Sequence, residues 1–141
     1  MDAFDADVLI YAAAPDDPLG RPVRQLFDAA TTDGTVGVGS VLLLPEVLTE
    51  PRRAGRDEEV SALLGLLSRL TLLPLDVSTA RLSVSLGSTY GPRPADAAHL
   101  ATAVVAGATR FITNNTEDFS REIAEIQITD PADLLSSTQG T

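Results

Sequence analysis

Two carboxylates, Asp5 and Asp7, stand at the start of the first apolar stretch of the chain. Carboxylates are among the last side chains to be buried without a partner. One interpretation is that both are exposed, one at a strand edge and one in a turn. The other is that at least one serves as a metal ligand or a nucleophile in a cleft. This stretch alone does not separate the two.

Three further segments carry polar groups that could do chemistry. Glu46 lies in a segment, 41–48, that is otherwise apolar nearly all round, so it either has a partner or lies at an exposed edge. Asp96 falls in the first turn of a predicted helix, where an acidic residue also stabilises the helix dipole. His99, three residues later on roughly the same face, is interpreted as a packed structural residue. The Asn and Asp residues of 113–119 also suit a simple turn.

The elements around these residues must bring them together. The sequence predicts a first strand at 4–12, because the run with Val8, Ile10 and Tyr11 suits a strand buried on both faces. Further strands are predicted at 35–39, 71–75, 110–113 and 125–129, and helices at 19–30, 41–48, 57–70, 78–90, 94–104 and 131–135.

Strands alternate with helices almost throughout, which predicts a parallel sheet covered on both faces. Sites in such sheets lie at the carboxyl ends of the strands. Asp5 lies near the beginning of the predicted first strand, so only the fold could bring it near the other acids. Ser40 is the predicted N-cap of the 41–48 helix, and Ala80 and Val84 are predicted to face the core.

Composition narrows the class of protein. The 141 residues, 44% hydrophobic and 21% charged, predict one globular domain at 1–135 with a flexible tail at 136–141. The absence of cysteine excludes disulfides and thiolate metal sites. No apolar run approaches the length of a membrane span and no signal peptide pattern is present, so a cytoplasmic location and no membrane contact are expected.

The charge balance is strongly acidic. The net charge is −10, and all ten basic residues are arginines. This argues against a general electrostatic footprint on nucleic acid. It leaves open a nucleic-acid enzyme whose bound cations face the phosphates.

Four of these segments, taken in order, resemble the PIN-domain ribonucleases, and most closely the VapC-like toxins of type II toxin–antitoxin pairs. The resemblance spans nearly the whole chain. It is carried by Asp5-Ala6-Asp7-Val8-Leu9, by Ser40 ahead of the helix that bears Glu46, by the run from Asp96 to Ala103 with Gly107-Ala108 after it, and by the run from Thr113 to Phe119.

The resemblance implies a three-layer α/β/α sandwich around a mostly parallel sheet of four to five strands. It also implies a metal-dependent endoribonuclease that uses Mg²⁺ or Mn²⁺, with RNA as substrate, a cognate antitoxin as partner and a homodimer as assembly. The metal ligands it implies are Asp5, Glu46, Asp96 and Asp118; Asn115 joins them as a catalytic residue, and Thr113 and Ser40 orient the substrate.

Some positions depart from the family or leave alternatives open. Asp7 stands where the family more often has Asn, and Glu117 competes with Asp118 for the role of fourth acid. A basic antitoxin segment would suit the acidic pocket. Five arginines could contact phosphates or could simply be solvated: Arg21, Arg24, Arg52, Arg53 and Arg56.

Two other functions compete with the nuclease. One is a catalytically silent PIN-fold binding protein. The other is a haloacid dehalogenase-like phosphatase, with a phospho-accepting receiver domain as a related possibility, because Asp5-Ala6-Asp7 also resembles the nucleophile motif of those phosphatases. Both of these families rely on a lysine, and this chain has none.

Overall fold

A computed structural model describes residues 1–30 and 34–139 of the chain. Within them, five strands form one sheet and seven helices cover it. The strands are β1 (Asp2–Phe4), β2 (Gly37–Ser40), β3 (Leu70–Leu73), β4 (Arg110–Ile112) and β5 (Gln127–Thr129). The helices are α1 (Ala6–Ala13), α2 (Gly20–Ala29), α3 (Leu43–Arg53), α4 (Asp57–Leu67), α5 (Val77–Tyr90), α6 (Pro94–Val105) and α7 (Pro131–Gln139).

The sheet is parallel throughout, in the order β3-β2-β1-β4-β5. The first strand is its centre, since Ala3 pairs with Val38 of β2 on one side and with Phe111 of β4 on the other. Parallel strands place all their carboxyl ends on one edge. That edge therefore collects the residues that follow β1, β2 and β4.

Each face of the sheet carries its own apolar core. One core contains Phe4 and buried apolar residues from each of α1 to α4, and the other contains Phe111, Phe119 and Leu100, Ala101 and Ala103 of α6. The three-layer α/β/α sandwich is therefore confirmed. None of the described helices is long and apolar enough to cross a membrane.

The predicted strand at 4–12 is wrong beyond Phe4. The strand ends there, and α1 begins at Ala6 with Asp5 as its N-cap. Val8, Leu9 and Ala12 are buried while Ile10 is 39% exposed, which is the spacing of a helix face. A short apolar run does not distinguish the two structures by periodicity alone, and the capping carboxylate and the alanines favour the helix.

Three smaller predictions also need correction. Ser40 is the last residue of β2, and α3 starts three residues later behind Leu42 as its N-cap. Val84 is 70% exposed, and the buried residues of α5 are Thr79 and Leu86. α7 continues to Gln139, beyond the predicted helix end at 135. The flexible tail at 136–141 stays a prediction, and its residues 140 and 141 lie outside the described part of the chain.

The turn from α1 into α2 is held by one arginine and one glycine. Arg24 donates from its guanidinium to three carbonyl oxygens at the end of α1, the closest being that of Ala14 at 2.8 Å. A Cβ on Gly20 would lie 2.0 Å from the carbonyl oxygen of Tyr11, so only glycine allows this approach of α2 to α1.

Candidate active site

Asp5 is fixed at the carboxyl edge of the sheet by three hydrogen bonds. Its Oδ2 accepts from Thr113 Oγ1 at 2.7 Å, and its Oδ1 accepts from the Ala6 amide at 2.8 Å. Its own amide donates to the Ile112 carbonyl at 3.0 Å. The residue is only 5% exposed, so this carboxylate is held in one orientation.

A loop after β4 brings a second acid to the same edge. Thr113 Oγ1 also accepts from the amide of Asn115 at 3.0 Å. The Asn115 side chain donates to Asp118 Oδ2 at 2.9 Å and accepts from the Asp118 amide at 3.3 Å. Hydrogen bonds therefore run from Asp5 to Asp118 without a break, whereas Glu117 is exposed to solvent.

The acids on α3 and α6 face the same space. Burial raises the pKa of Asp96, and the negative charges of Asp5, Asp118 and Glu46 raise it further. The charges of the other three predicted acids therefore reach Asp96. These acids come from separate parts of the fold: Asp5 follows β1, Glu46 lies on α3, Asp96 on α6 and Asp118 in the loop after β4.

Asp7 adds a fifth carboxylate beside Asp5. Burial and the charge of Asp5 together raise the pKa of Asp7 from 3.8 to about 7. Its Oδ2 accepts from the Asn114 amide at 3.1 Å, whereas its buried Oδ1 has no hydrogen-bond partner among the described residues. Burial raises the pKa of Asp5 as well, against the hydrogen bonds from Thr113 and Ala6.

His99 contacts the cluster, a contact that the sequence analysis missed. The residue is 2% exposed, and its Nε2 lies 3.1 Å from Glu46 Oε1. This pair is within ion-pair distance but is not aligned as a hydrogen bond. The spacing of His99 three residues after Asp96 places both on one face of α6, but it gives no indication of the contact with Glu46.

The remaining residues of the predicted site are Ser40 and five arginines. Ser40 is buried, and its Oγ accepts from the Leu42 amide at 3.1 Å. Arg24 is committed to carbonyl oxygens, and Arg56 to Glu50 and Glu59. The other three arginines of the predicted phosphate surface are exposed: Arg21, Arg52 and Arg53.

The donor set fits a hard divalent cation. Its members offer carboxylate oxygens, which are the ligands that hard divalent ions prefer. In the part of the chain that the structure describes, no three His, Asp or Glu side chains are close enough to enclose an ion. An ion here would keep several waters, as Mg²⁺ commonly does.

A comparison with protein families gives one match. The PIN domain matches residues 3–124 of the chain. No curated protein matches it in sequence. The family match leaves the phosphatase and receiver-domain alternatives without support.

Solved structures share the fold over nearly the full chain. A toxin–antitoxin complex from Klebsiella pneumoniae has a TM-score of 0.71 at 24% identity, covering 93% of this chain and 98% of that chain. VapBC2 from Rickettsia felis, bound to a promoter DNA fragment, has a TM-score of 0.70 at 17% identity, covering 92% and 97%. VapC20 from Mycobacterium tuberculosis, a toxin that cleaves the sarcin–ricin loop, has a TM-score of 0.67 at 14% identity, covering 90% and 99%.

Proposed function

The chain belongs to the PIN-domain family, and from this membership we propose that it is a divalent-metal-dependent endoribonuclease and the toxin of a toxin–antitoxin pair. The observation that supports the proposal is the hydrogen-bonded connection of Asp5 to Asp118 at the carboxyl edge of the sheet, together with the charge that Asp5, Asp118 and Glu46 exert on Asp96. Several carboxylates in one small site remain ionised only when cations neutralise them. Mg²⁺ and Mn²⁺ suit such oxygen donors.

Each acid has a proposed part in RNA hydrolysis. Asp5 and Asp96 are the main metal ligands, Glu46 is a ligand or orients the attacking water, and Asp118 is the fourth acid. When bound, the ion supplies charge that stabilises the phosphate and lowers the pKa of water.

Three uncharged residues are proposed to hold other groups in place: Thr113, Asn115 and Ser40. Thr113 holds Asp5 and Asn115 holds Asp118 through the hydrogen bonds described above. Fixed carboxylates need no reorganisation when the phosphodiester is attacked. Ser40 is kept as a proposed substrate-orienting residue at the end of β2.

An antitoxin partner is supported by a groove between α1 and α4. This groove of about 930 Å³ is lined by Ile10, Tyr11 and Ala13 and is bordered by Asp57, Glu58 and Glu59. An apolar floor with an acidic rim suits a basic amphipathic peptide segment. An Ile10→Glu substitution should weaken the binding of such an antitoxin without lowering RNA cleavage, and calorimetry with the co-encoded protein tests this.

Assembly and location remain predictions. A homodimer is expected from the family resemblance, and sedimentation of the purified protein tests it. The cytoplasm is the expected compartment.

A PIN-fold binding protein without catalysis is the second candidate. It predicts folded protein that binds RNA or antitoxin and cleaves nothing. The charge repulsion on Asp96 suits both candidates, because a bound cation and a basic partner segment would each relieve it.

The deciding experiment is RNA cleavage with a matched variant. Wild type and Asp96→Asn are incubated with structured RNAs, including tRNA, in Mg²⁺, in Mn²⁺ and in EDTA. The proposal expects cleavage that needs the metal and is lost in Asp96→Asn. Folded, antitoxin-free wild type that cleaves nothing in either metal would favour the binding protein.

A further inference from the structure

His99 is a buried imidazole whose surroundings do not explain it as core packing. Its side chain is 1% exposed, yet its Nδ1 has no hydrogen-bond partner among the described residues. Its Nε2 has only the contact with Glu46. Buried ring nitrogens are normally hydrogen-bonded, so an apolar side chain would suit a purely structural position better.

Glu46 depends on the same contact. Its side chain reaches from α3 and is 33% exposed. Within the described residues, the 3.1 Å contact with His99 Nε2 is the only ion pair or hydrogen bond of its carboxylate. A glutamate with three rotatable bonds and an open side would otherwise turn towards water.

His99 also lies where it can influence the acidic residues of the site. It follows Asp96 by three residues on α6, so both side chains lie on one face of that helix. The imidazole is close enough to Asp5 and Asp96 to lower the pKa of both carboxyls when it is protonated. The ring therefore lies next to Glu46 and on the face of α6 that carries Asp96.

We propose that His99 is a positioning residue that holds the Glu46 carboxylate at the acid cluster through the 3.1 Å contact of its Nε2 with Glu46 Oε1. The inference rests on the proposed nuclease function, in which Glu46 is a metal ligand or orients water. His99 acts on the reaction through Glu46 and has no part of its own in binding substrate or metal. Partners behind metal-site carboxylates commonly orient them.

The test is a double-mutant cycle with a conservative rescue. His99→Leu removes the donor and keeps an apolar side chain of similar size. His99→Gln keeps an amide N–H near the place of Nε2. Both substitutions are made in wild type and in Glu46→Gln, and three quantities are measured: kcat and KM for RNA cleavage, the Mn²⁺ dissociation constant by calorimetry, and Tm in EDTA.

In the wild-type background, His99→Leu should lower kcat and raise the Mn²⁺ dissociation constant, each about 10-fold. KM for RNA and Tm in EDTA should stay close to wild type. His99→Gln should recover most of both losses. In Glu46→Gln, His99→Leu should have no further effect, because the carboxylate that it positions is gone.

Two results would overturn the proposal. One is a loss of the same size in both backgrounds, because His99 would then act without Glu46. The other is a lowered Tm with unchanged kcat and Mn²⁺ affinity, which is the signature of a packing residue. If wild type cleaves no RNA, the nuclease proposal fails by itself, while the Mn²⁺ cycle still decides the role of His99.

Discussion

Thr113 serves two partners at once, because its hydroxyl donates to Asp5 and accepts from the Asn115 amide. A Thr113→Val substitution leaves both buried groups without this partner. We expect a loss of about 1–3 kcal/mol in the free energy of unfolding and a fall in RNA cleavage of roughly 10- to 100-fold. Urea denaturation and cleavage assays measure the two effects.

Thr113→Ser is the matched control, since it keeps the hydroxyl. It should remain close to wild type in both assays. Equal activity of the valine and serine variants would mean that the hydrogen bond to Asp5 does not organise the site.

Asp7 gives a prediction about pH for the metal-free protein. Its folded pKa of about 7 lies above the ordinary value of 3.8, so the folded state binds this proton more tightly than the unfolded state. Stability therefore falls as pH rises from about 4 to about 7, and the full cost is present above that range. Asp7→Asn removes the ionisation and with it the cost.

In EDTA at pH 8, Asp7→Asn should be more stable than wild type by about 2 kcal/mol, a value discounted for screening by solvent. The difference should shrink towards zero at pH 4. Urea denaturation across this pH range measures it. A gain that is independent of pH would show that the ionisation of Asp7 is not its source.

At the residue scale, the order of the motifs led to Asp5, Glu46, Asp96 and Asp118, and their shared role stays a prediction. The contact between His99 and Glu46 could not be found in the same way. It joins side chains of two helices that are far apart in sequence, and its length depends on rotamers and helix packing. Their spacing along the chain carries no information about that distance.

Among the elements, the joint between α1 and α2 depends on Arg24. The Arg24 guanidinium donates hydrogen bonds to four backbone carbonyls, those of Tyr11, Ala12, Ala14 and Asp17. A cation at this end also opposes the helix dipole. Arg24→Met should lower the free energy of unfolding by about 1–3 kcal/mol.

The control is Arg21→Met on the same helix, because Arg21 is exposed. It should leave the denaturation midpoint nearly unchanged. Arg24→Lys should fall between the two, since an ammonium keeps the charge but not the fork of donors. Equal midpoints for Arg24→Met and Arg21→Met would contradict the capping role.

The elements also show where pattern reasoning failed. Alternation of strands and helices correctly predicted the parallel sheet, and most later elements lie within a few residues of their predicted positions. Residues 8–12 form part of α1, because β1 is only three residues long and the apolar side chains that follow it are buried as one face of a helix. Burial by tertiary packing decided the structure of a run whose local pattern was ambiguous.

For the whole molecule, the net charge of −10 and the acid cluster predict a response to metal. Mn²⁺ at a hundred times its dissociation constant should stabilise the folded state by about 2.7 kcal/mol. Calorimetry should show a higher Tm than in NaCl of equal ionic strength, which controls for screening of the general charge. The Asp96→Asn variant should lose most of the specific gain, and an equal gain in that variant would place the ion elsewhere.

The convergence of the acids follows from topology. Asp5 comes directly after β1 and Thr113 directly after β4, and these strands are parallel neighbours. The sequence could therefore predict a shared edge once the parallel sheet was predicted. It could not predict how far Glu46 on α3 and Asp96 on α6 would lie from that edge, because helix rotation is set by packing against the sheet.

The central position of β1 has a consequence for synthesis. Asp5 and Thr113 are 108 residues apart, and β1 pairs with β4 at a similar separation. A ribosome releases the chain in order, so the acid cluster cannot form until the segment through Asp118 has left the exit tunnel. Contacts this distant in sequence are also slow to form. A growing chain therefore stays without a complete site until that segment has emerged from the ribosome.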